Sequence, residues 1–198
     1  MVMELAAGGD LYDRLTTAGV YLEDEEIRRI LREAAGALAH MHDRGIVHGD
    51  IKPENILLKT PVTTAPGRGV RKILLADFGS SFRLTVPHST GNQAVKSCTP
   101  AYSAPEVVQN ERTLDEKVDV WSLGVIAFIM CKGYHPFDPT SEATGEEIIQ
   151  RVATSDPDWD GLEPQAANLI RQMLSRNPKN RPSAREVLDN AWLQLPLN

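Results

Sequence analysis

The chain has 198 residues, 41% of them apolar and 24% charged, which is enough for one domain with its own core and an ordinary soluble composition. A formal net charge of -6 argues against a nucleic-acid binder, which needs a basic surface, and is compatible with a basic peptide or protein as partner. The two cysteines, Cys98 and Cys131, have no C-x-x-C spacing and suggest neither a disulfide framework nor a zinc site, so a reducing intracellular setting, cytoplasmic, is expected. No signal-peptide pattern opens the chain, and its longest uncharged run, Val120 to Cys131, is too short to span a bilayer. Met1 to Met3 is apolar and leads into Glu4 to Gly9, which reads as the end of a strand entering a turn. A short helix is expected over Asp10 to Leu15. From Leu22 to Asp43, Ile27, Ile30, Leu31, Ala34, Leu38 and Met41 recur on one helical face, and Gly45 supplies a left-handed stop. Asn55 to Leu58 and Lys72 to Ala76 are strand-length apolar runs, joined by a Pro- and Gly-containing loop from Thr60 to Arg71. Gly79 to Tyr102 is polar and aperiodic and reads as an extended loop. Val118 to Met130 is apolar nearly all round, a central buried helix. Further helices are expected over Glu146 to Ala153, Pro164 to Ser175 and Ala184 to Asn190, the last opened by a capping box of Ser183 with Glu186.

The chemistry concentrates in His48-Gly49-Asp50-Ile51-Lys52-Pro53-Glu54-Asn55 and, further on, Asp77-Phe78-Gly79. Phosphoryl transfer is mostly positioning and electrostatics. It needs a carboxylate to orient the acceptor hydroxyl, a cation on the moving phosphate, and hard oxygens for magnesium. Asp50, Lys52, Asn55 and Asp77 supply that set. Taken alone, Asp50 or Asp77 would pass for a turn residue; their spacing with Lys52 and Asn55 reverses that reading.

With these motifs the chain resembles the eukaryotic serine/threonine protein kinases along essentially its whole length. The catalytic loop of that family reads H-R-D-L-x-x-x-N and its metal motif D-F-G. Ala104-Pro105-Glu106, Asp119-Val120-Trp121-Ser122-Leu123-Gly124 and Arg181 match further family signatures in the right order. The resemblance implies a mainly α fold, a kinase large (C-terminal) lobe with a few short strands at the catalytic cleft. It implies that residues 1–198 are hinge and C-terminal lobe only, without the small lobe. Asp50 then resembles the catalytic base, Lys52 the phosphate-stabilising lysine, and Asn55 and Asp77 the magnesium ligands. Thr99 resembles the threonine that hydrogen-bonds the base. Met3 looks like the gatekeeper, Glu4 to Ala6 the hinge that meets adenine, Leu57 the floor beneath it, and Asp10 the acidic residue near the ribose. The implied cofactors are ATP and Mg2+. The implied partners are proteins phosphorylated on Ser or Thr, with basic residues upstream, and a regulatory partner. Gly8 to Arg14 and Gly133 to Phe137 look most like the calcium/calmodulin-dependent and plant-type calcium-dependent kinases, although no D-x-D-x-D-G loop is present to bind calcium.

Two departures stand out. The family's Gly-rich loop, ATP-binding lysine and partner glutamate have no counterpart here, and Gly49 stands where the family has arginine. A non-catalytic, pseudokinase-like binding module and a truncated gene product therefore stay open as alternative readings. His48 is expected to be a satisfied core histidine beside Phe78, with Asp119 an anchor for the catalytic-loop backbone. Glu106 and Arg181 are expected to form a structural ion pair. Asp10 and Glu54 are expected either to be solvated charges or to read a basic substrate residue. Thr90 and Ser97 are candidate modification sites, and Cys98 a small filler.

Overall fold

A computed structural model describes residues 4–17, 22–60, 72–84, 99–109 and 114–196. Its helices are α1 (Leu11–Thr16), α2 (Asp24–His42), α3 (Pro105–Val108), α4 (Lys117–Lys132), α5 (Gly145–Thr154), α6 (Pro164–Met173) and α7 (Ala184–Leu188). Its strands are β1 (Ile46–Val47), β2 (Ile56–Leu58), β3 (Ile73–Leu75) and β4 (Phe82–Arg83). The chain is thus mainly α, with short strands, as the motifs imply.

Helix α4 is the axis of the core. From Val118 to Phe128 every side chain is buried, including Trp121 and Phe128, because apolar residues surround the helix rather than striping it. Gly133, with φ +77, ends it by closing a hydrogen bond to the Ile129 carbonyl. Helix α2 packs on one side with its stripe of Ile27, Ile30, Leu31, Ala34, Leu38 and Met41, all buried. Helix α7 packs behind α2, and α6 lies against α4. The α4–α6 approach depends on Gly124, where a Cβ would come within 2.9 Å of Met173 Cβ. Capping boxes open α5 (Thr144 with Glu147) and α7 (Ser183 with Glu186), each giving two otherwise orphaned N–H groups a partner.

The strands form two antiparallel pairs at one end of this helical block. In one, β2 pairs with β3 so that Ile56 faces Leu75, Leu57 faces Leu74 and Leu58 faces Ile73. The other, β1 with β4, sets Ile46 opposite Arg83 and Val47 opposite Phe82. This second pair corrects the expectation of an extended loop from Gly79 onward. The loop begins with a 3-10 turn, Phe78–Ser80, and then pairs through Phe82–Arg83. Residues 85–98, with Thr90, Ser97 and Cys98, lie outside the described residues, as do Met3 and most of the loop from Thr60 to Arg71.

Candidate active site

The sites of interest sit at the ends of these short strands. Strand β1 delivers His48, Gly49 and Asp50 out of the core, and Asp119 in the first turn of α4 fixes where they go. The Asp119 carboxylate, 1% exposed, accepts hydrogen bonds from Gly49 N (2.8 Å), His48 N (2.9 Å) and His42 Nε2 (2.9 Å). Three donors offset the desolvation of a buried carboxylate. The expected anchoring role of Asp119 is therefore observed, whereas His42 was not foreseen: it lies on α2 and shows no motif of its own. The His48 ring donates from Nε2 to the Ala76 carbonyl (3.0 Å), accepts from Asp50 N at Nδ1 (3.3 Å) and packs against Phe78 with centroids 5.1 Å apart. It is fully buried and satisfied at both nitrogens.

Gly49 occupies the left-handed region at φ +78, and a Cβ there would stand 2.9 Å from the Ser80 carbonyl oxygen. The catalytic-loop turn and the turn after Asp77 therefore pass backbone against backbone, at a place where only glycine fits without a shift.

Asp50 is gripped on both carboxylate oxygens. Thr99 Oγ1 donates to Oδ1 (3.1 Å), Lys52 Nζ to Oδ2 (2.8 Å) and Asn55 Nδ2 to Oδ2 (3.3 Å). Asn55 also donates to the Asp50 carbonyl (2.8 Å), and Lys52 Nζ reaches Thr99 Oγ1 (3.3 Å). Three residues, two from the same loop and Thr99 from 49 positions further on, thus meet around one carboxylate. The Asp50 carboxylate beside it holds the Lys52 ammonium above its usual range against partial burial, and Glu54 and Asp77 add to the effect. Lys52 is therefore a permanent cation at neutral pH.

The Ala76 N–H donates to the Asn55 carbonyl (2.9 Å), which seats Asp77 beside Asn55. Asp77 itself has a left-handed backbone, φ 59, and lends one oxygen to Gly79 N (3.1 Å), while its carboxylate faces solvent. The Asn55 amide nitrogen is spent on Asp50, so its amide oxygen is the atom that could ligate a cation. Among the described residues no group of three or more His, Cys, Asp or Glu makes a protein-only metal cage. One carboxylate and one amide oxygen are instead the sparse, hard donor set that suits Mg2+ completed by phosphate oxygens and water. The residues present fit the metal.

Glu4, Ala6, Asp10 and Leu57 gather on the neighbouring edge. Ala7 N donates to the Lys59 carbonyl, Gly8 N to the Leu58 carbonyl, Leu58 N to the Gly9 carbonyl, and Asp10 bridges Leu57, so residues 7–10 run along β2. Leu57 points to the face opposite buried Ile56 and Leu58. Glu4 pairs with Lys59 (2.6 Å) at an exposed site. Asp10 caps α1, accepting from Asp13 N (2.8 Å). Phe78 and Leu5 are both exposed.

Tyr102 lies near Glu54 and Tyr12, and burial together with those two groups pushes its phenol well above the ordinary range. The end of this segment is fastened by Arg181, whose five hydrogen bonds reach Glu106 Oε1 (2.6 Å) and Oε2 (2.7 Å) and the carbonyls of Ser175, Lys117 and Arg176. The guanidinium also lies over Trp121, 5.0 Å from its centroid. The expected structural ion pair is thus present, and both partners are buried.

With this geometry in view, comparison with known proteins identifies the group. The family model described as "Protein kinase domain" matches residues 1–193, and the chain belongs to that family. It is 35% identical over 196 residues to calcium/calmodulin-dependent protein kinase type 1B of Rattus norvegicus, covering 98% of this chain and 53% of that protein. It is 36% identical over 195 residues to the type 1 enzyme of Caenorhabditis elegans, covering 98% and 53% respectively. Similarity to the kinase cmkB of Emericella nidulans is 35% over 202 residues, 99% of this chain and 47% of that one. The chain spans about half the length of the curated relatives it matches. No helix among the described residues is long and apolar enough to cross a membrane.

Proposed function

We propose that residues 1–198 form the hinge and large lobe of a serine/threonine protein kinase, which transfers the γ-phosphoryl group of ATP to a Ser or Thr hydroxyl of a protein. The observation that carries this reading is the Asp50 carboxylate, held from one side by Thr99 and from the other by Lys52 and Asn55. A carboxylate so oriented can accept the proton of an incoming hydroxyl as its oxygen attacks phosphorus. The new O–P bond forms as the bond from phosphorus to the β-γ bridging oxygen breaks, and ADP leaves with that electron pair. Lys52, 2.8 Å from Asp50, would meet the negative charge of the transferring group. Asn55 and Asp77 would hold Mg2+, which when bound neutralises phosphate oxygens and aligns them. Glu4 to Ala6, Leu57 and Asp10 would line the adenine and ribose side, with Met3.

Serine/threonine specificity is supported by Lys52, two positions after Asp50, and by Thr99. Exposed Glu54 beside Tyr12 and Tyr102 supports a substrate with a basic residue before the acceptor. Gly49 offers no side chain to grip a phosphate, so control by a partner is favoured over control by a phosphorylated segment.

The experiment is made in the full-length protein. Asp50→Asn and Asp77→Asn should each lower peptide phosphorylation by about 10²-fold or more. Asp77→Asn should also weaken Mg-dependent nucleotide binding measured by calorimetry, while Asp50→Asn should not. Activity near that of the parent in either variant would remove that residue from its role.

A further inference from the structure

Outside the Asp50 cluster, the side chain of His135, in the loop after α4, reaches the segment that holds Thr99. The His135 Nε2–H donates to the Ala101 carbonyl (2.8 Å), and Nδ1 accepts from Phe137 N–H (3.2 Å). A carbonyl on one nitrogen and an N–H on the other admit one form of the ring, the neutral Nε2–H tautomer. Burial favours the same form and lowers the imidazole below its ordinary value, against the Ala101 carbonyl and Asp138, which pull the other way. The ring meets Tyr102 edge-on at 6.0 Å and Phe137 at 6.1 Å. Phe137 in turn stacks on Trp121 of α4, 5.8 Å between centroids and 4° between planes. His135 is therefore tied through Phe137 to the buried helix α4.

What it grips is the 3-10 turn Pro100–Tyr102, whose N-cap is Thr99. Within that turn Tyr102 N (2.9 Å) and Ser103 Oγ (3.0 Å) both donate to the Thr99 carbonyl. Thr99 Oγ1 then donates to Asp50 Oδ1 (3.1 Å). A continuous path of packed and hydrogen-bonded groups thus runs from α4 through His135, Ala101 and Thr99 to the carboxylate. Ser122 Oγ holds the far end of the turn at the Tyr102 carbonyl (2.7 Å), which leaves Ala101 to His135.

We infer that His135 is a positioning residue for phosphoryl transfer, holding the Pro100–Tyr102 turn so that Thr99 keeps the Asp50 carboxylate aimed at the acceptor hydroxyl. The inference rests on the assignment of Asp50 as base. A glutamine at 135 keeps a donor where Nε2–H stands. An asparagine keeps only an acceptor near Nδ1, which serves Phe137 and not Ala101.

The test has two arms. In the 198-residue chain, hydrogen exchange at the Tyr102 and Ser103 amides should quicken about fivefold in His135→Ala and His135→Asn, and stay at the parent rate in His135→Gln. In the full-length protein, His135→Ala should lower kcat for a peptide about fivefold to tenfold with the KM for ATP unchanged, and His135→Gln should restore it. Because the effect passes through Thr99, His135→Ala combined with Thr99→Val should be no slower than Thr99→Val alone. Unchanged exchange in His135→Ala, equal rescue by asparagine and glutamine, or losses that multiply with Thr99→Val would each overturn the inference. Retained activity in Asp50→Asn would instead overturn the base assignment, and the exchange arm would still report on the tether.

Discussion

Asp119→Asn isolates the electrostatic part of the loop anchor, because the side chain keeps its shape and loses one acceptor. In the parent, one carboxylate oxygen serves Gly49 N at 2.8 Å and the other serves His48 N and His42 Nε2, both at 2.9 Å. The better orientation of the amide sets its oxygen on the pair of donors and its NH2 against Gly49 N–H. One buried N–H is then unsatisfied, which costs about 1–3 kcal/mol, and the two surviving bonds lose their charge assistance, about 1 kcal/mol more. The expected loss is about 2–4 kcal/mol, to be read from urea unfolding of the 198-residue chain. Gly49 is bonded to Asp50 in the chain, so the same change displaces Asp50, the proposed base. A displacement near 1 Å lowers kcat by up to about 10²-fold, measurable with a peptide in the full-length protein. A stability loss under about 0.5 kcal/mol together with kcat within about twofold would refute the argument that Asp119 sets the loop.

Three further outcomes follow from other contacts. Glu106→Gln leaves the Arg181 guanidinium buried without its counter-charge and should cost about 3–5 kcal/mol; a urea midpoint within error of the parent would refute the pairing argument. Gly49→Ala meets both a positive φ and the Ser80 carbonyl and should cost about 1–2 kcal/mol, so an unchanged Tm would show that the two turns can part freely. For His135 the folded imidazole lies below its ordinary value of 6.5, so as pH falls the unfolded chain takes up the proton first. The stability contributed by the neutral ring is complete above that ordinary value and is lost as pH falls through the folded one. Replacing His135 by glutamine should therefore flatten the fall in urea midpoint between about pH 7.5 and 5.5, whereas an equal fall in parent and variant would place the acid sensitivity elsewhere.

The sequence makes some of this architecture plain and hides the rest for physical reasons. Helices α2 and α4 are legible because burial imposes a pattern over many residues: a stripe at helical spacing in one, apolar residues on all sides in the other. Strands β1 and β4 are two residues each, too short for alternation to register, and only their pairing makes them strands. Asp50, Lys52, Asn55 and Asp77 are legible as motif positions, and Thr99 by resemblance. The structure brings Thr99, Lys52 and Asn55 onto Asp50, and seats Asp77 beside Asn55. His42 and His135 escape such a reading because each acts on a partner distant in sequence, Asp119 and the Ala101 carbonyl, and a lone histidine carries no period or spacing. Asp10 shows a further limit: one acidic residue at the start of a helix serves as its cap whether or not it also meets a ligand.

The five hydrogen bonds of Arg181 have a consequence in time. They draw together residues separated by 75 positions in the case of Glu106 and 64 in the case of Lys117. Closing segments of that length is entropically costly, so these bonds should form late, after the helices they join have packed. Interactions absent from the transition state slow unfolding and leave the folding rate almost unchanged. Removing Glu106 should accordingly steepen the loss of folded molecules far more than it delays their formation. What this arginine governs is how long the lobe stays assembled once it has been made.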